Sequence, residues 1–93
     1  MNNLIITEHA HKHGIKDEDI IYVIEHPEEV ILMEIEPDEK VLYFGFDIRP
    51  KVCALRDIEV IVVVKKDGKE YVIHAMKATQ KILDLIMEVR RGR

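Results

Sequence analysis

Serine and tryptophan are absent from this 93-residue chain, and cysteine occurs once, as Cys53. Without serine there is no serine-based catalytic triad. A lone cysteine closes no intramolecular disulfide and builds no cysteine zinc cluster. With no histidine at a recognisable spacing beside it, Cys53 is also a poor candidate nucleophile. The four glycines, Gly14, Gly45, Gly68 and Gly92, are scattered along the chain. A P-loop or a dinucleotide-binding turn needs glycines clustered around a phosphate, so nucleotide cofactors held in those ways are excluded and no cofactor is expected. No run of about 18 apolar residues is present to span a membrane. The start, Met1-Asn2-Asn3-Leu4, lacks the charged and apolar regions of a signal peptide. A cytoplasmic protein with no membrane partner is therefore expected.

Of the residues present, 47% are apolar and 34% charged. A chain of this length buries roughly two-thirds of its unfolded surface, enough for one core, so residues 1–93 are read as a single domain. Residues 1 to 40 carry 3 basic and 11 acidic side chains, whereas residues 77 to 93 carry 5 basic and 2 acidic ones. The overall formal charge is -4. Such asymmetry either gives an acidic protein one phosphate-attracting end or reflects helix-end charges and a solvated tail.

Local patterns divide the chain into elements. Leu4-Ile5-Ile6 is a short apolar run, after which Thr7 stands as an N-cap before a short helix from Glu8 to His13, stopped by Gly14. Asp17, Glu18 and Asp19 open a second helix whose stripe is Ile20, Ile21 and Ile24 and which ends at His26-Pro27. From Val30 the period becomes two, with Ile31, Met33 and Ile35 on one face of a strand. Pro37-Asp38-Glu39 is a turn, and Val41 to Phe46, almost without polar residues, reads as an inner strand. Asp47 to Leu55, with Arg49-Pro50-Lys51, reads as a loop. Ile58 to Lys65 and Glu70 to Met76 form a hairpin around Asp67-Gly68. A two-residue loop there pairs Lys65 with Glu70, Val64 with Tyr71, Val62 with Ile73 and Ile61 with His74. A final helix, Thr79 to Val89, carries the apolar stripe Ile82, Leu83, Ile86 and Val89. The expected fold is α+β: an antiparallel sheet of about four strands, two N-terminal helices and one C-terminal helix.

Histidines are the main carriers of chemistry. His9, His11 and His13 alternate, so on a strand they would share a face and could hold a metal, whereas on a helix only His9 and His13 meet. The Thr7 cap and Gly14 stop favour the helix, and no motif supplies a third ligand, so no metal site is expected. His74, Lys77 and Lys81 lie where the last strand passes into the last helix. Such a junction projects side chains and backbone N–H groups to one place and could hold a phosphodiester. The plainer reading is a structural histidine opposite Ile61 and two surface lysines. Tyr22, Tyr43, Phe44, Phe46 and Tyr71 read as core and rim rather than as a base-stacking platform.

Two blocks, Lys12-His13-Gly14-Ile15-Lys16-Asp17-Glu18-Asp19-Ile20 running on to His26-Pro27, and Val72-Ile73-His74-Ala75-Met76-Lys77-Ala78-Thr79, resemble the BrnT family of toxins. They are equally similar to a looser group of uncharacterised bacterial proteins. The resemblance implies a RelE-like fold, cleavage of RNA, and a cognate ribbon-helix-helix antitoxin as partner, and it leaves a homodimer open. Lys12 and His13 match one block of the family, and Lys77, Ala78 and Thr79 the other. Met76 stands where the family usually has Arg, and His74 where it usually has Ser. An Arg there would clamp phosphate bidentately, which a lysine replaces only as a point charge.

Metal-free RNA cleavage needs a base, an acid and cations around the phosphate. Imidazole titrates nearest neutrality, which makes His13 and His74 the candidate catalytic pair, with Lys12, Arg56, Lys77 and Lys81 as candidate phosphate binders. Three readings follow: a ribonuclease toxin, a catalytically silent relative that only binds an antitoxin or another protein, and a histidine-based metal-binding protein.

Overall fold

The computed structural model describes residues 3–47 and 56–93. Arg49, Pro50, Lys51 and Cys53, together with most of the expected 47–55 loop, lie outside the described residues. In chain order the elements are β1 (Leu4–Ile6), a 3₁₀ turn (Glu8–His11), α1 (Asp17–Glu25), β2 (Glu29–Glu34), β3 (Glu39–Phe46), β4 (Asp57–Val64), β5 (Glu70–Lys77) and α2 (Gln80–Arg91). The strands form one sheet in the order β1-β5-β4-β3-β2. β2 to β5 make an antiparallel meander, and β1 runs parallel to β5 at the far edge.

The class is α+β as expected, with two corrections. Among the described residues five strands are present rather than four, because Leu4-Ile5-Ile6 adds a parallel strand. Three residues are too few to display a period, but the free edge of β5 selects them: the Thr7 N–H and Oγ1–H both donate to Val72 O, at 3.1 and 2.7 Å, and the Glu70 N–H donates to Asn3 O at 3.0 Å. Two α-helices are present among the described residues rather than three, because the first expected helix is a single 3₁₀ turn. Thr7 does cap that turn, its hydroxyl accepting from the Ala10 N–H, and Gly14 does take the left-handed conformation (φ 74°) that reverses the chain. Too few residues separate cap and stop for the i to i−4 pattern to propagate.

α1 begins on Asp17, Glu18 and Asp19 and buries Ile20, Val23 and Ile24 against the sheet. Its close approach requires Gly45 on β3, where an added Cβ would stand 3.3 Å from Val23 Cγ1. The β4–β5 hairpin is present, but its loop is longer by one residue than expected. The Lys65 N–H bonds to Lys69 O, and the Gly68 N–H to Lys65 O, with Gly68 at φ 91°. Val64 therefore pairs with Glu70, Val63 with Tyr71 and Val62 with Val72, not the pairs that a two-residue loop implies. A bulge at Ile73 then restores the register, so His74 does lie opposite Ile61. Three-residue loops of this kind are an ordinary hairpin solution, and the bulge returns the side chains to their expected faces.

Two apolar layers result. On one face Ile58, Val60, Val62, Val72 and Ala75 meet Ala10, Ile15, Ile20, Val23 and Ile24. On the other, Leu42 and Phe44 meet Ile82 and Ile86 of α2. Tyr43 of β3 also packs on the first layer and Ile61 of β4 on the second, so β3 and β4 have both faces covered, which explains their near-continuous apolar sequence.

α2 is tied down at its C-terminal end by one carboxylate. Glu29 on β2, only 6% exposed, accepts from Arg90 Nε at 2.9 Å and from Arg93 Nη1 and Nη2 at 2.9 and 2.6 Å. The Arg93 and Arg90 hydrogen bonds hold the Glu29 carboxyl below its usual 4.5. A lowered folded-state value means stabilisation that is complete above the unfolded value and lost as pH falls through the folded one. Glu29→Gln is therefore expected to melt below wild type at pH 7, with the gap closing as pH drops below 4.5. Thermal melts across that range check it; a gap independent of pH would contradict the assignment.

Candidate functional site

Glu59 is the only charged residue between Ile58 and Val64 of β4. It lies on the α2 side of the sheet, opposite Phe44 on β3 and Met76 on β5, and is 4% exposed. A carboxylate in that position is costly unless donors surround it. Three do. Oε1 accepts from the Thr79 N–H at 2.8 Å and from the Thr79 hydroxyl at 3.1 Å, and Oε2 is 2.8 Å from His74 Nε2. The Thr79 Oγ1 in turn accepts from the Ile82 N–H as the N-cap of α2. One side chain thus joins β4, the end of β5 and the start of α2.

Because the carboxylate only accepts, Nε2 of His74 carries the proton in this pair, and Nδ1 is the ring nitrogen left for other chemistry. His74 is partly open to solvent, with 26% of its side chain exposed. The other predicted histidine comes to the same place. The 3₁₀ turn packs along β5, Gly14 reverses the chain and Ile15 is buried, which sets the His13 ring edge-on to His74 with centroids 5.9 Å apart. His13 itself is exposed.

The candidate cations are placed less uniformly. Lys12 is exposed beside His13 in the chain, and Lys81 is exposed in the first turn of α2. Lys77 pairs with Ile58, so it sits on the α1 side of the sheet, opposite in sense to His74. Arg56 bonds through Nε to Asp47 Oδ2 at 3.0 Å and has Nη2 3.6 Å from the buried Asp19, so its charge is shared between two carboxylates. Met76 faces the same side as Glu59 and His74. His9 is exposed, and His11 pairs with Asp17. Among the described residues no group of three His, Cys, Asp or Glu side chains could hold a metal ion.

The structure brings the two expected histidines together and adds Glu59, which the sequence pattern does not single out. The available signal was the carboxylate itself, a single charge in an apolar strand that has both faces covered. Comparison with protein-family models, with curated proteins and with solved structures gives no match to this chain.

The geometry makes a tautomer prediction. In Glu59→Gln the amide oxygen is required by the two Thr79 donors, which turns the amide NH₂ towards His74 and makes Nε2 an acceptor. Long-range ¹H–¹⁵N NMR above neutral pH should find His74 as the Nε2–H tautomer in wild type and the Nδ1–H tautomer in the variant. The same tautomer in both would contradict the Glu59–His74 bond.

Proposed function

We propose that this chain is a metal-independent endoribonuclease acting through His13 and His74, the toxin half of a toxin–antitoxin pair. The observation carrying this reading is the meeting of two imidazoles, 5.9 Å apart, one of them oriented by a buried carboxylate. Phosphodiester cleavage by the neighbouring 2′-hydroxyl needs a base on one side and an acid on the other, and two imidazoles in opposite protonation states supply both. His74, with Nε2–H committed to Glu59, takes the 2′-hydroxyl proton on Nδ1. The 2′-oxygen attacks phosphorus, the bond from phosphorus to the 5′-oxygen breaks, and protonated His13 gives its proton to the departing oxygen. The products are a 2′,3′-cyclic phosphate and a free 5′-hydroxyl.

Glu59 serves as a positioning residue, holding the ring and favouring the imidazolium that forms. Lys12 and Lys81 supply point charges to the non-bridging oxygens. Lys77, on the other side of the sheet, and Arg56, shared by two carboxylates, bind the RNA backbone less directly. A net charge of -4 gives little long-range attraction for RNA, so recognition is local to this face. The resemblance to BrnT toxins supports a ribbon-helix-helix antitoxin as the partner that silences the site.

One observation favours a second reading. Met76 lies opposite Glu59 on the site face, where the resembled family has an arginine. A protein without that clamp that has kept only its antitoxin-binding role is the alternative.

Purified protein is expected to cleave single-stranded RNA in EDTA, leaving cyclic phosphate ends, and its expression to slow bacterial growth. His13→Ala and His74→Ala should each lower the rate by about 10²-fold or more. Met76→Arg should raise it by restoring a bidentate phosphate contact. If wild type and Met76→Arg are both inert towards RNA and harmless to cells, the enzyme reading fails and the binding-only reading replaces it.

A further inference from the structure

Four carboxylates are buried among the described residues, and three of them have a guanidinium at hand. Glu29 is held by Arg90 and Arg93, while Asp19 and Asp47 share Arg56 at 3.6 and 3.0 Å. Glu59 has none. Its one ion-pairing partner among the described residues is the imidazole of His74, and its other two donors, the Thr79 N–H and hydroxyl, are neutral. With a neutral His74 the buried charge is hydrogen-bonded but not compensated, so it gains from any positive charge that reaches it through the ring.

A metal ion on His74 Nδ1 supplies such a charge. Metal-bound histidines characteristically donate their other ring N–H to a carboxylate, which fixes the tautomer and raises the basicity of the coordinating nitrogen. His74 already stands in that arrangement, with Nε2 2.8 Å from Glu59 Oε2. A second imidazole is close by. Two imidazoles on one tetrahedral zinc ion, with Zn–N of about 2.0–2.1 Å, have ring centroids about 5 Å apart. The His13 and His74 centroids are 5.9 Å apart and their planes are inclined at 70°. Stacked rings hold their in-plane lone pairs side by side, whereas inclined rings can aim them at one ion. His13 is exposed, so its ring is free to turn and close the difference. His11 is bonded to Asp17, and among the described residues no third His, Cys, Asp or Glu completes the group.

We propose that His13 and His74 form an exchangeable site for a zinc ion, with Glu59 as the carboxylate behind His74 and water in the remaining positions. Two protein ligands, where resident zinc sites have three or four, give an ion that comes and goes with its free concentration. Nitrogen donors select zinc and its transition-metal neighbours over magnesium and calcium. Lys12 and Lys81 are exposed on long stems and keep their ammonium groups in water, away from the ion. Metal binding here does not depend on the ribonuclease reading. One consequence does: an ion held by both imidazoles occupies the lone pair that accepts the 2′-hydroxyl proton and displaces the proton that His13 donates, so zinc inhibits cleavage reversibly.

Calorimetric titration of the untagged chain with zinc chloride should find one equivalent bound. In ¹H–¹⁵N NMR the ring signals of His13 and His74 should move together at the same metal ratio, and magnesium chloride should move neither. Glu59→Gln should weaken binding by about 10–100-fold, the usual cost of losing the carboxylate behind a ligating histidine, and His13→Ala and His74→Ala by at least as much. Glu59→Gln also takes a partner from Thr79, so the exposed His13→Ala, with circular dichroism showing the fold retained, is the deciding variant. His9→Ala should leave the affinity unchanged. Where wild type cleaves RNA, zinc should stop cleavage and EDTA restore it. A chain inert towards RNA that binds zinc through His13 and His74 removes the ribonuclease reading and leaves the metal site standing. No saturable zinc binding, binding unchanged in His13→Ala or His74→Ala, or binding lost in His9→Ala overturns the proposal.

Discussion

The arrangement depends on one buried carboxylate. Glu59 occupies a position on β4 at which both sheet faces are covered, and an ionised group there is tolerated only with its lone pairs occupied. Thr79 and His74 occupy them, at 2.8 to 3.1 Å. The same bonds satisfy a backbone N–H at the helix start that would otherwise be an orphan of the first turn. They also hold the imidazole at the end of β5. Removing the carboxylate thus strips the helix cap of its partner and frees the histidine at once.

A second carboxylate completes the attachment of α2. Glu59 holds the N-terminal end over β4 and β5, while Glu29 holds the C-terminal end over β2 through Arg90 and Arg93. Between these clamps, Ile82 and Ile86 cover Leu42 and Phe44. Apolar contact supplies most of the driving force but little direction, since it is roughly proportional to area. The charged hydrogen bonds at both ends select one orientation of the helix on the sheet, and with it the position of the β5–α2 junction. His74 is therefore fixed from two elements, whereas His13 stands exposed in the turn that follows the 3₁₀ residues.

How much of this was legible in the sequence follows from range. The α1 boundaries, the inner position of β3, the hairpin and the amphipathic α2 depend on patterns within a dozen residues, and they could be read. β1 could not, because its partner Val72 is 65 residues away from Thr7 and three residues display no period. The hairpin register departs from the expected one at the loop, where Lys65 pairs with Lys69, and agrees with it beyond Ile73, because an added loop residue and a bulge compensate. Glu59 is not legible locally, because a charge in a strand ordinarily marks a solvent face and its donors stand 15 and 20 residues further on. The two histidines are linked in the sequence only by the strand–helix junction and the resemblance to BrnT toxins, not by any local pattern.

The central claim is that Glu59 and Thr79 act as one unit, and a double-mutant cycle tests it most directly. Urea unfolding of wild type, Glu59→Ala, Thr79→Ala and the double variant gives the coupling free energy between the two side chains. Residues sharing one hydrogen-bond network couple by about 0.5–3 kcal/mol, whereas independent sites add to within about 0.3–0.5 kcal/mol. The account predicts a double variant destabilised by at least about 0.5 kcal/mol less than the sum of the two single losses, at unchanged denaturant dependence. Additive losses would mean that the carboxylate does not hold the start of α2, and the account of the site built on it would fail.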